Sequence, residues 1–173
     1  MADDARIARA SHDKHAVHAR IVQRLKDQAE EVTRLTAGLG EEDLARQTVP
    51  GKWSLKELVC HLHRVQQVFE GRIASMLAQD NPAITVYSPD DDAAFEKMLS
   101  RPAKDALAAF LEDRERLAAQ WEELSPGEWH RPGRHPEYPH YDVHFQVEYM
   151  AHHEAHHIYQ MFQRRAPFGK MPH

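Results

Sequence analysis

A chain of 173 residues with 42% hydrophobic and 28% charged residues suits one globular domain over 1–173, with loose ends at about 1–10 and 167–173. A net charge of -5 without a basic stripe argues against nucleic-acid binding, no apolar run approaches the about 18 residues of a membrane span, and the polar N-terminus is not a secretory signal. A lone Cys60 excludes a disulfide within the chain and points to a reducing cytoplasm, whereas 14 histidines are a surplus that asks for a chemical reason.

The chain reads as helical almost throughout, with only 7 glycines and no sustained alternation of apolar and polar residues. The first helix is expected from Ser11 to Ala37, with Ile21, Leu25, Val32 and Leu35 at helical spacing and Gly38 and Gly40 stopping it. His12, His15 and His18 fall on no common core stripe, so a solvated face is expected for them. The second helix begins at Ser54, which forms an S-x-x-E capping box with Glu57, and runs to about Gln79. Trp53 just before it reads as a hydrophobic staple. A third, interrupted segment holds a short helix over Ala93–Leu99 and a longer one from Pro102 to about Leu124. The loop SPGEWHRPGRHPEYPHY has four prolines and no periodicity. Long loops of this kind are often functional, and it could cover a site and supply a proton shuttle from His130, His135, His140 or His144. The last helix runs from about Asp142 to Arg165, with Val147, Met150, Ala151, Ile158, Met161 and Phe162 as its apolar stripe. Four long amphipathic helices predict an all-α four-helix bundle.

The histidine-rich stretch HHEAHH lies on the last helix. At about 100° per residue, and with Met150 at zero, His157 falls near -20° and His153 near -60°, at the edge of the apolar stripe. His156 and His152 fall on the outer side. His153 and His157 are four apart, so their rings project from successive turns of one face and can reach one ion. Two ligands do not hold a catalytic zinc; three with an open position are the usual minimum. On the second helix, with Leu58 at zero, His61 lies near -60° at the stripe edge, while His63 lies near 140°, facing solvent, and Cys60 points away from the stripe. The expected shell is therefore His61, His153 and His157. Imidazole suits zinc, nickel, iron or copper, and zinc is the default for three histidines, with manganese a further candidate.

These residues resemble a known family. GKWSLKELVCHLHRVQ resembles the W-S-x-x-E-L-x-x-H-L signature of the DinB/YfiT-like superfamily, and HHEAHHIYQM resembles its H-x-x-H-H-x-x-Q signature. The resemblance implies an up-down-down-up four-helix bundle and a divalent metal on His61, His153 and His157. It also implies thiol-dependent transferases or isomerases that use a low-molecular-weight thiol, or metal-dependent hydrolases, often as homodimers. One departure is Arg64, where the family often has an acidic residue; near a pocket its charge would favour an anionic substrate or thiolate.

Among residues near the triad, Glu154 falls inside the apolar stripe, where a structural ion pair is favoured over orienting an imidazole. Gln160, three after His157, reads as a polar contact between helices or a partner of bound water, and Tyr149 as a pocket residue. The leading function is a metal-dependent enzyme of the thiol-transferase type acting on a small molecule. The alternatives are a metal-dependent hydrolase, a non-catalytic stress-related binding protein with a structural metal, and a metal-free helical interaction protein.

Overall fold

The computed structural model describes residues 2–173, with side chains from Ala16 onward; His12 and His15 lie outside the described side chains. Among the described residues no strand forms. The helices are α1 (Ala2–Thr36), α2 (Glu41–Ala45), α3 (Leu55–Ala78), α4 (Ala93–Leu99), α5 (Ala103–Glu122), α6 (Pro126–Trp129) and α7 (Val143–Arg165), followed by a 3₁₀ turn at Ala166–Phe168. Among the described residues no helix is long and apolar enough to cross a membrane. The first helix begins earlier than Ser11, since nothing in the preceding residues breaks it: no glycine or proline precedes Gly38. Gly38 itself sits at φ +76°, a backbone that favours glycine and ends the helix. The proline-rich loop, expected to be irregular, contains the short helix α6, which opens with a capping box between Ser125 and Glu128, and the connection from α1 to α3 contains α2.

α1, α3, α5 and α7 form the bundle. α1 and α3 each pack on both α5 and α7, so α1 lies diagonally opposite α3. Side-chain pairs give the directions. His63 meets Asp113 and Glu70 meets Arg116, so α5 runs parallel to α3. His61 meets His157 while Arg72 meets Gln146, so α7 runs antiparallel to α3. His18 meets His144 and Gln28 bonds the Ala151 carbonyl, so α1 runs with α7. The order is up, down, down, up. It requires residues 79–102 to carry the chain back along α3 before α5 can begin beside its start.

The core is divided by a polar layer. Above it lie Leu25, Val65, Leu117 and Ala151, and below it Ala29, Leu62, Phe110 and Met161. Between them Arg114 of α5 makes a fork with Glu154 of α7, at 2.6 and 3.0 Å, and donates to Gln66 Oε1 of α3 at 2.8 Å and to the Leu25 carbonyl of α1 at 2.7 Å. The ion pair expected for Glu154 is therefore present, and it joins all four helices. Both partners are buried, which is tolerable because each charge is paired and hydrogen-bonded.

The solvated positions expected for His63 and His18 are corrected, and Cys60, expected to point away from the stripe, is buried on that other flank. His63 is buried, not solvated, with Nε2 2.8 Å from Asp113 Oδ2. Cys60 is in the core against α4, its Sγ 3.7 Å from the Met98 carbonyl. His18 is buried rather than solvated, stacked on Trp129 with centroids 4.4 Å apart and Nδ1 3.1 Å from His144 Nδ1. In each case an element outside the expected stripe covers the flank: α5, α4 and α6. Phe162, expected in the stripe, is exposed.

Candidate metal centre

The two helices that carry the histidines are each started by a side-chain cap. Ser54 accepts from the Glu57 amide and the Glu57 carboxylate accepts from the Ser54 amide, which fixes the first turn of α3 two turns before His61. Asp142 accepts from the Phe145 amide at the start of α7.

Packing of α3 on α7 brings three ring nitrogens together. His157 Nε2 stands 3.1 Å from His61 Nε2 and 3.1 Å from His153 Nε2, and one ligand atom from each of the three lies within 4.8 Å of the others. The outward pair, His152 and His156, is exposed. Gln160 Oε1 sits 2.8 Å from His157 Nδ1, so Nδ1 carries the proton and the Nε2 lone pair faces the other two rings. Gln160 also donates from Nε2 to His156 Nε2 at 3.1 Å, which fixes its amide orientation. The triad is neutral. Burial, reinforced by the neighbouring imidazoles, holds His61 down to about 3 and His153 to about 4, and burial lowers His157 against the opposing bond from Gln160.

Neutral imidazoles that crowd nitrogen against nitrogen gain little from one another, since each such contact needs one donor and one acceptor. They suit a cation. Tetrahedral zinc with Zn–N of about 2.0–2.1 Å separates its ligand nitrogens by about 3.3 Å, close to the spacing seen. The donor set therefore fits a divalent ion. Trp53, expected only as a staple, packs on the cluster that contains Leu58 and also lays its ring 4.7 Å from that of His61. His61 Nδ1 is buried without a hydrogen-bond partner among the described residues.

The triad opens into a cavity of about 340 Å³. Val65, Phe69 and Arg72 of α3 and Tyr149 of α7 form one side. Val86, Tyr87 and Pro89 of the 79–92 segment form another, and His135, Glu137, Tyr138 and Tyr141 of the proline-rich loop close it. Tyr149 thus lines the cavity, and the proline-rich loop lies over it. Arg64 does not line it: its Nε lies 2.5 Å from Asp92 Oδ2, which also accepts from Tyr87.

The loop is held in place by backbone. Ile84 and Arg134 pair at 2.8 Å, and Arg131 donates to the Met76 and Gln79 carbonyls at the end of α3. Gly133 passes so close to α3 that a Cβ there would meet Met76 Sδ at 2.9 Å and Ile84 Cγ1 at 3.0 Å. His135 stacks on Tyr141, its pKa is lowered by burial and by Arg72, and its Nδ1 accepts from the Glu137 amide at 3.2 Å.

Sequence reasoning missed Arg72, although a signal existed. It follows His61 by eleven residues, about three helical turns, and so returns to nearly the same face. The loop residues carried no comparable signal.

A family model described as the DinB superfamily matches residues 24–161. Among solved structures, YfiT from Bacillus subtilis, described as a probable metal-dependent hydrolase with an unusual four-helix bundle topology, superposes with a TM-score of 0.76 at 18% identity, covering 88% of this chain and 87% of that one. At that identity the likeness is one of fold. No curated protein matches the chain.

Proposed function

The chain belongs to the DinB superfamily, and from that premise we propose that it is a divalent-metal-dependent enzyme with His61, His153 and His157 as ligands. The observation that carries this reading is the convergence of three neutral Nε2 atoms at the inner end of a cavity that stays open beside them. When bound, the ion supplies a Lewis acid that lowers the pKa of a thiol or water near neutral pH.

The reaction we favour is transfer of a low-molecular-weight thiol to an electrophilic small molecule. The protein's own thiol is not the nucleophile: Cys60 is fully buried and burial pushes it up to about 11. The thiol therefore comes from outside, in a reducing cytoplasm. Its sulfur bonds to the electrophilic carbon, a leaving group departs with the bonding pair, and the thiol proton leaves to solvent through the open cavity. Burial raises Tyr149, so its phenol stays protonated and can donate to the leaving group, whereas Tyr141, raised likewise, already donates to Gln146. Hydrolysis is the second reading, supported by the description of YfiT. Zinc is the ion we favour over nickel, iron or manganese, and a homodimer is the assembly we expect.

Two measurements test this. Untagged wild-type protein should carry about one equivalent of metal by elemental analysis and His153→Ala should lose it; a full equivalent in that variant removes the ligand set. Zinc-loaded protein should consume a small thiol and an alkylating electrophile in equal amounts. Ester cleavage with thiol left unconsumed would replace transfer with hydrolysis.

A further inference from the structure

We propose that the cavity recognises a small organic substrate bearing a carboxylate, and that Arg72 is the residue that holds it. The proposal rests on the reading of the cavity as the substrate chamber of the three-histidine site and names the class of molecule it takes.

Arg72 lines the cavity on the face of α3 that also carries His61. Its guanidinium carbon stands 5.2 Å from the centroid of Phe69, and that ring stands 6.0 Å from the ring of His153, so the cation lies within about 11 Å of the imidazoles. It is fixed by two neutral acceptors: Gln146 Oε1 at 3.3 Å and the Thr85 carbonyl at 2.7 Å. These, with the Tyr141 hydroxyl also in hydrogen-bonding reach, leave hydrogens of the two terminal nitrogens for a ligand, while Nε is buried and has no hydrogen-bond partner among the described residues. Among the described residues no carboxylate lies within ion-pair distance of Arg72, whereas Arg64, Arg114 and Arg116 each have one. Glu137 lines the same cavity but forms no ion pair with Arg72.

A positioned cation with spare donors and no counter-ion, set among aromatic rings, is a receptor for an anion. The low local dielectric strengthens the attraction, and the planar fork matches a carboxylate with two parallel hydrogen bonds. Phe69 beneath the guanidinium offsets part of its desolvation. The cavity is at the small end of ligand pockets. A carboxylate on Arg72 with the reactive carbon beside the imidazoles then describes a short aromatic or unsaturated acid.

The test uses 3-phenylpropionate and its neutral amide, titrated calorimetrically into zinc-treated wild type, Arg72→Gln, Arg72→Lys and His153→Ala. Wild type should bind the acid at least about tenfold more tightly than the amide. Arg72→Gln should lose that preference, Arg72→Lys should keep part of it because the charge remains without the fork, and His153→Ala should retain it. Equal affinity for acid and amide, undetectable binding of the acid, or an unchanged preference in Arg72→Gln overturns the proposal. An acid that sits on the ion instead is recognised by a preference kept in Arg72→Gln and lost in His153→Ala, which also overturns it. Zinc content of the same samples separates the two proposals: preference without zinc removes the metal reading alone, and zinc without preference removes this one alone. If Arg72→Gln does not fold, Arg72→Lys and the wild-type comparison decide.

Discussion

At the scale of single residues, the triad depends on which nitrogen of each ring is free. Gln160 settles this for His157, whose Nδ1–H donates to its side-chain oxygen. Gln160→Leu removes that partner without touching the core, so zinc affinity should fall by about 10–100-fold while the melting temperature of the metal-free protein stays near that of wild type. A competition titration with a chromophoric chelator measures it, and an unchanged affinity would mean that packing alone orients the ring. The same burial that keeps the rings neutral makes the metal-free fold sensitive to acid. The unfolded histidines titrate near 6.5, whereas His61 and His153 are lowered to about 3 and 4. Below pH 6.5 the unfolded state binds more protons than the folded one, so stability is full above that value and is lost as pH falls toward 4, by on the order of a few kcal/mol. Denaturant melts of chelator-treated protein between pH 7.5 and 4.5 should show this decline. It should be reduced in His61→Phe, and a flat profile would show that the rings are not neutralised by burial.

At the scale of elements, the proline-rich loop is the part whose conformation matters most for the cavity. It has no hydrophobic period, and its shape comes from close backbone approach and from carbonyls at the end of α3. Gly133 marks the tightest point, and the atoms that a methyl would meet are buried and have little room to move. Gly133→Ala should therefore cost about 1–3 kcal/mol in a urea melt, as overpacking does elsewhere, and should loosen the wall formed by His135 and Tyr138. Hydrogen exchange of the loop amides is the sharper measurement: faster exchange there with α3 and α7 unchanged is expected, and no change would mean that the loop shifts without strain.

At the scale of the whole molecule, the bundle is held in register by the layer around Arg114 and Glu154. That layer adjoins the triad on α7, since Glu154 follows His153, but the hydrogen bonds of Arg114 do not reach the triad's ring nitrogens. Removing one partner leaves the other charge buried and unpaired. Glu154→Ala should lose about 3–5 kcal/mol, whereas Arg114→Met combined with Glu154→Met should recover most of it. Chemical denaturation of the single and double variants decides this; a double variant as unstable as the single one would show that Gln66 and the Leu25 carbonyl, left without Arg114, carry the cost.

The legible part of this protein was what depends on one helix at a time. Rotation about a helix axis is set by residue number, so the stripe of α3, the inward turn of His153 and His157 and the place of His61 at the same edge all follow from spacing, and the caps at Ser54 and Asp142 follow from residue type. Arg72 was legible by the same rule, being eleven residues from His61 on the same helix. What spacing does not contain is which second element covers a flank. His63 is buried because α5 lies beside α3, Cys60 because α4 crosses it, and His18 because Trp129 of α6 stacks on it. The pairing of Arg64 likewise turned on Asp92, nearly thirty residues away, and the cavity wall on a loop with no periodicity. Side-chain direction is a local property of a helix, whereas burial, ion pairing and cavity shape are properties of surfaces that meet only when the chain has packed.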